Sequence, residues 1–196
     1  YWAKYLKKNN LKTIYYGLSE EKIGYFSNSR NSKSFVNNDN FEFLFVGRLV
    51  PQKNIFNLIK AFQISLNKFE KKETKYKKFN LSIIGDGYLK NDLNKLIRSR
   101  KLENNIKLLG YKKDIRPYLN KANCLIHVAN YEGLGLILLE AMAAKKAIIT
   151  SNCSAMCEIV KNGINGLLVN PNNIIDISNQ INMMVFSDKS FEYGEN

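Results

Sequence analysis

Two glutamates spaced eight residues apart are the side chains in this sequence best suited to bind a polyol. Glu132 stands in a segment that contains two glycines, and Glu140 follows in a continuous run of strong helix formers. At about 3.6 residues per turn, this spacing puts Glu140 roughly two turns along a helix from the loop that carries Glu132. Because a carboxylate accepts hydrogen bonds from hydroxyl groups, we expect the pair to hold a ribose or a hexose at different depths of one crevice.

The start of the same helix is predicted to bind phosphate. Residues 124–128 form an apolar run, Gly133 and Gly135 follow, and helix formers begin at Leu136, a pattern that indicates a strand, a tight turn and a helix. The first N–H groups of a helix have no partner within it, so the backbone of Gly135, Leu136 and Ile137 is suited to cradle a phosphate. Gly133 and Gly135 lack the Cβ atoms that would hold a ligand away.

A second group of polar residues follows the first apolar run after residue 40. In the segment GRLVPQK, Gly47 lets the chain turn, Arg48 offers a phosphate two parallel hydrogen bonds, and Lys53 adds a point charge. Two cations that face a helix start would hold a diphosphate and stabilise the negative charge that builds on it as it leaves, without a metal ion.

Each of these residues also has a structural interpretation. Glu132 would cap the helix, Glu140 would be a solvated helix residue, and Arg48 and Lys53 would be ordinary surface charges. His127 is the only histidine of the chain. It falls inside a predicted strand, and we expect it to be a packing residue and not a general base.

Six apolar runs of strand length alternate with helical patterns after residue 40, which favours an α/β fold with a doubly wound parallel sheet. With strand order 3-2-1-4-5-6, the order reverses between the first and fourth strands, whose following loops carry the two groups of polar residues. The strands are predicted at 43–46, 81–84, 106–109, 125–128, 147–150 and 166–169, and the helices at 55–69, 89–101, 115–121, 136–145, 156–160 and 174–185.

In the order and spacing of these motifs the chain resembles the family 4 (group 1) retaining glycosyltransferases of the GT-B fold. Glu132 and Glu140 are similar to that family's E-x7-E signature, and residues 47–54 to its G-R-L-x-x-x-K-G element. Asn54 stands where glycine is usual, a change that we expect to be tolerated. The resemblance covers about residues 13–190. It implies a six-stranded Rossmann-like C-terminal half of the fold, with the N-terminal domain largely absent.

The resemblance also implies domain boundaries and residue roles. Residues 1–40 would be the tail of the N-terminal acceptor domain and a linker, and residues 41–196 the nucleotide-sugar-binding domain. Arg48 and Lys53 would contact the donor diphosphate and Glu132 the donor sugar, and these three would serve catalysis. Glu140 would hold the ribose, and Tyr111 would line the base pocket.

The enzyme so implied moves a hexose from a nucleotide diphosphate sugar to a glycan or lipid-linked acceptor in surface polysaccharide synthesis. It retains the anomeric configuration by same-face attack, and no cofactor or metal is expected. We expect the fragment by itself to be inactive, because the groups of the other domain lie across the cleft.

Composition leaves a second class of function open. The net charge of +13 and the pI of about 9.6 favour anionic partners such as nucleotide diphosphates or an acidic membrane surface. A non-catalytic nucleotide-binding or membrane-docking module is therefore the alternative. No nucleic-acid-binding pattern is evident, and a nicotinamide-linked oxidoreductase is disfavoured because no G-x-G-x-x-G follows the first strand. We expect a cytoplasmic location, with the inner face of the membrane as a peripheral site.

Overall fold

A computed structural model describes residues 17–27, 39–69, 74–187 and 192–194. The basic amphipathic pattern of residues 1–12 predicts a helix, and residues 13–17 are predicted to form a short strand that ends in a turn. The helix, and the strand up to residue 16, lie outside the described residues.

The centre of the fold is a six-stranded parallel sheet. The strands are β1 Asn40–Val46, β2 Lys78–Ile84, β3 Ile106–Gly110, β4 Cys124–His127, β5 Ala147–Ser151 and β6 Leu167–Val169. Their order in the sheet is β3-β2-β1-β4-β5-β6, and every neighbouring pair is parallel. The predicted fold class and strand order are confirmed, and the order reverses between β1 and β4.

Helices cover both faces of this sheet, because alternate strand residues point to opposite sides. The helices are α1 Glu20–Ser27, α2 Ile55–Phe69, α3 Lys90–Ser99, α4 Arg116–Lys121, α5 Leu136–Ala143, α6 Met156–Ile159 and α7 Ile174–Phe186. Phe43 and Phe45 belong to one core cluster with α2, α3 and α7, whereas Leu44 belongs to the other with α1, α4, α5 and α6. Among the helices of the described residues, none has the length and apolar character needed to span a membrane.

Helix α1 lies within the stretch expected to be a linker. The Ser19 hydroxyl accepts a hydrogen bond from the Lys22 N–H at 3.3 Å, as a helix cap does. Phe26 is 6% exposed and packs into the core cluster that contains α5. The Arg116 guanidinium lies 3.5 Å from the centre of the Tyr25 ring. This helix is therefore packed onto the sheet-bearing part of the chain.

The loops that follow β1 and β2 are locked together. The Gly47 N–H donates to the Ile84 carbonyl at 3.0 Å, and the Leu49 N–H donates to the Asp86 carbonyl at 2.9 Å. Gly85 has φ +143°, and a Cβ there would stand 1.8 Å from the Gly47 carbonyl oxygen. Only glycine allows this approach, so the glycine turn after β2 supports the loop that carries Arg48.

Candidate functional site

An ion pair joins the two loops at the point where the strand order reverses. Lys53 ends a 3-10 turn, Pro51–Lys53, that follows β1, and Glu132 lies in the loop between β4 and α5. The Lys53 ammonium donates to Glu132 Oε2, although the two residues are 79 positions apart. Their side chains are only 10% and 18% exposed. The two residues therefore lie together, as predicted. Glu132 is three residues before Gly135, the residue that caps the start of α5.

Two further hydrogen bonds hold the same two loops together. The Asn130 backbone N–H donates to the Gln52 carbonyl at 2.8 Å, and the Gln52 side-chain amide donates to the Tyr131 carbonyl at 2.9 Å. Because these bonds flank the ion pair, Lys53 and Glu132 are positioned by them and not by their own attraction alone.

Glu132 is held as a carboxylate. His127 Nε2 lies 3.2 Å from Glu132 Oε2, the oxygen that also receives Lys53. The hydrogen bond from His127, together with that from Lys53 and its charge, lowers the pKa of Glu132 to about 2. Oε1 accepts no hydrogen bond from the described residues. One oxygen is therefore engaged, and the other is left to accept a hydrogen bond.

His127 has a contact that the sequence interpretation missed. It is 1% exposed and stacks on the Phe45 ring with a centroid separation of 5.6 Å and an angle of 10°. Packing was predicted, but the bond to Glu132 was not. The available signal was its place at the end of a strand, five residues before the glutamate.

The start of α5 has the geometry expected of an anion site. Gly135 caps the helix with φ 71° and ψ 59°, and no side chain caps it. The N–H groups of Gly135, Leu136 and Ile137 donate to none of the described residues. A Cβ at Gly135 would lie 3.3 Å from the Glu132 Cγ, whereas one at Gly133 would meet nothing within 4 Å. The left-handed turn and the close approach of Glu132 thus both favour glycine at position 135, while Gly133 leaves open space.

Asn54 replaces glycine without distorting the loop. Its φ and ψ are 56° and 31°, in the left-handed region where asparagine is among the best tolerated residues after glycine. Its side-chain amide donates to the Pro171 carbonyl at 2.7 Å. The backbone explains why glycine is usual at this position and why asparagine fits.

Three other predicted residues do not contact this cluster in the described part of the chain. Arg48 follows Gly47 on the same loop, and its side chain is exposed and unpaired there. Tyr111, after β3, is 72% exposed. Glu140 is half-buried on α5, and this burial raises its pKa, while Lys22 of α1 acts in the opposite direction. Their assigned roles remain predictions.

Within the described ranges, no three His, Cys, Asp or Glu side chains group as a metal site would need. The three cysteines are free thiols, and burial raises the pKa of Cys124. The polar chemistry of the cluster is that of one carboxylate, one ammonium, one imidazole and a helix start.

Comparison with known proteins gives this arrangement a context. Residues 27–192 match the family described as glycosyl transferases group 1. An uncharacterized glycosyltransferase of Methanocaldococcus jannaschii is 31% identical over 189 residues, which cover 91% of this chain and 47% of the relative. The UDP-Gal:alpha-D-GlcNAc-diphosphoundecaprenol alpha-1,3-galactosyltransferase of Escherichia coli is 29% identical over 185 residues, covering 92% and 46%. The chain thus spans less than half the length of these relatives.

Among solved structures, the C-terminal domain of a group 1 glycosyl transferase (LpcC) from Francisella tularensis superimposes with a TM-score of 0.70 at 22% identity. The match covers 93% of this chain and 91% of that one. At this identity the likeness concerns the fold, which corresponds to the C-terminal half of a GT-B enzyme.

Proposed function

The chain belongs to the group 1 glycosyl transferases, and we propose that it forms the donor-binding half of a retaining enzyme that transfers a hexose from a UDP-sugar to a glycan or lipid-linked acceptor in surface polysaccharide synthesis. UDP is proposed because the Escherichia coli relative is named for UDP-Gal. That relative also carries diphosphoundecaprenol in its name, which supports a lipid-linked acceptor.

The observation that carries this proposal is the bond between Lys53 and Glu132 at the switch point of the sheet. An ammonium has three N–H donors, and Glu132 takes one of them, so two remain for a diphosphate. The unpartnered N–H groups at the start of α5 begin at Gly135, three residues after Glu132 in the chain. A cation and a helix start can bind the diphosphate of a nucleotide sugar, and the free carboxylate oxygen can accept a hydrogen bond from the sugar.

In this mechanism the protein stabilises the leaving group. Lys53 and Arg48 would hold the diphosphate and offset the charge that grows on it as the glycosidic bond breaks. Glu132 would accept a hydrogen bond from a hydroxyl of the donor sugar through Oε1, and Glu140 would accept hydrogen bonds from the ribose hydroxyls. An oxygen of the departing phosphate would help to deprotonate the acceptor, which attacks from the same face.

The donor class is tested by thermal unfolding of the 196-residue chain with UDP, GDP and ADP. A ligand at about 100 times its Kd adds about 2.7 kcal/mol of stability. For a chain of this size that is a rise of about 5–10 °C in Tm. We expect the rise with UDP; the same rise with GDP or ADP instead would reassign the base.

The catalytic assignment is tested in the full-length enzyme. Arg48→Ala and Glu132→Ala should each reduce sugar transfer by at least about 100-fold, since each removes a group placed on the reacting donor. The double variant Lys77→Ala/Lys78→Ala is the control, because both lysines are exposed and lie at the start of β2, away from the site. Binding to vesicles of anionic lipid is measured for the same variants. If only the lysine variant loses this binding, and the Arg48 and Glu132 variants keep sugar transfer, the proposal of an enzyme is replaced by that of a membrane-docking module.

A further inference from the structure

The surroundings of His127 leave its ring little freedom. It stands at the end of β4, which is paired with β1 and β5 in the middle of the sheet. The ring is stacked on Phe45, and the Thr150 hydroxyl donates to the His127 carbonyl at 2.9 Å. An imidazole with 1% exposure and a parallel aromatic neighbour cannot swing away without opening the core.

The contact between His127 and Glu132 also defines the tautomer of the ring. An ionised carboxylate only accepts hydrogen bonds, so Nε2 must carry the proton that lies between the two atoms 3.2 Å apart. Burial lowers the pKa of His127, which favours the neutral ring. Nδ1 is then a bare acceptor. It is buried and has no hydrogen-bond partner among the described residues.

Lys53 alone is a poor anchor for Glu132 during a reaction. Its side chain has four flexible carbon–carbon bonds, and a diphosphate bound by its two remaining donors would attract the ammonium away from Glu132. If the ammonium moves toward phosphate, a carboxylate held only by Lys53 is free to rotate. The ring of His127 meets the same oxygen and does not depend on the ligand.

We propose that His127 is a positioning residue that holds Glu132 Oε2 while Lys53 engages the diphosphate, so that Oε1 stays turned toward the donor sugar. The inference rests on the proposed function and adds a third residue to its site. His127 is not the general base, because its Nε2–H already points at Glu132 and its Nδ1 is sealed from solvent.

Three variants in the full-length enzyme test the proposal, with release of UDP from UDP-glucose and UDP-galactose as a readout that needs no known acceptor. His127→Leu keeps the size and removes the donor. His127→Gln places an amide N–H near the position of Nε2, whereas the shorter amide of His127→Asn cannot reach Glu132. We expect kcat to fall about 10- to 100-fold in the Leu and Asn variants and less than about 5-fold in the Gln variant.

A purely structural role would not give this pattern. The Kd of UDP, measured by calorimetry, should change by less than about 3-fold in all three variants, because the nucleotide contacts are untouched. Equal kcat in the Leu and Gln variants, or a loss that appears only in the Kd, overturns the proposal. Absence of UDP binding by the wild type would instead contradict the proposed function.

The contact itself is measured without any variant. Since the chain has one histidine, ¹⁵N labelling of its imidazole gives a single pair of nitrogen signals. We expect the neutral Nε2-protonated tautomer at pH 7 and above, because burial lowers the pKa of His127 from its ordinary value of 6.5. A proton on Nδ1, or a mixture of both tautomers, overturns the proposal even if the variants do not fold.

Discussion

At the scale of single residues, the site depends on one carboxylate that is bound from two sides. Lys53 and His127 both contact Oε2 of Glu132; Lys53 lies in the loop after β1, and His127 is the last residue of β4. A carboxylate bound in this way stays ionised well below pH 4.5. This suits a group that is proposed to accept a hydrogen bond from a sugar hydroxyl at neutral pH.

Glu132→Gln is expected to destabilise the fold at neutral pH and much less in acid. The folded pKa of about 2 is below the ordinary value of 4.5, so the ionised form contributes stability above pH 4.5. This contribution is lost as the pH falls from 4.5 toward 2. At about 1.4 kcal/mol per pKa unit its upper size is about 3 kcal/mol.

Urea unfolding of wild type and variant between pH 7 and pH 3 measures this difference. Glu158→Gln makes the same change of charge at an exposed position and serves as the control. A stability gap for Glu132→Gln that is as wide at pH 3 as at pH 7 would contradict the pKa.

At the scale of elements, the strand–helix alternation could be predicted because each element has a clear apolar pattern. The bounds of α2 were predicted to the residue, at Ile55–Phe69, and the six strands lie at the expected places. Helix α1 was missed, because its short, polar sequence has few apolar positions and its stability comes from the docking of Phe26.

The candidate site was predictable to a different degree. Lys53 and Glu132 were expected to converge, since parallel strands end at one edge of the sheet and the strand order reverses there. The partnership of His127 with Glu132 was not predictable, because strand periodicity does not tell which way a terminal side chain turns. The need for glycine at position 85 could not be predicted either, because it arises from contact with Gly47 in the loop after β1.

Gly85→Ala is expected to destabilise the chain by about 3–4 kcal/mol, because its Cβ would overlap the Gly47 carbonyl and its φ is positive. The loop that carries Arg48 would have to move, so UDP binding should weaken as well. Gly17→Ala, with nothing within 4 Å of the added methyl group, should change the free energy of unfolding by less than about 0.5 kcal/mol. Denaturant unfolding distinguishes the two; a similar small effect at both positions would show that the loops are not interlocked.

At the scale of the whole molecule, the net charge of +13 creates a field that attracts anions, in which Arg48 is exposed and Lys53 is nearly enclosed. Attraction between exposed charges is screened by salt, with a Debye length of about 10 Å at 0.1 M and about 3 Å at 1 M. The field should therefore favour binding of the diphosphate part of the donor more than binding of the nucleoside.

Raising the salt concentration should weaken UDP binding and leave uridine binding unchanged. Between 0.05 M and 0.5 M NaCl we expect the Kd of UDP to rise about 3- to 10-fold. Uridine is the matched control because it has the same base and ribose and lacks the two phosphates. Isothermal titration with both ligands measures the effect, and a Kd of UDP that is independent of salt would mean that the diphosphate is not met by exposed cations.

The packing of α1 has a practical meaning for anyone who trims this protein. A truncated variant that starts at Asn40, where the sheet begins, would lack Phe26. This would leave a cavity in the core cluster to which Leu138 and Ala141 belong. It would also lack Lys22, the cation whose charge acts on Glu140. The contacts of α1 therefore place the start of the domain before β1, and a truncated protein that is to stay folded must include this helix.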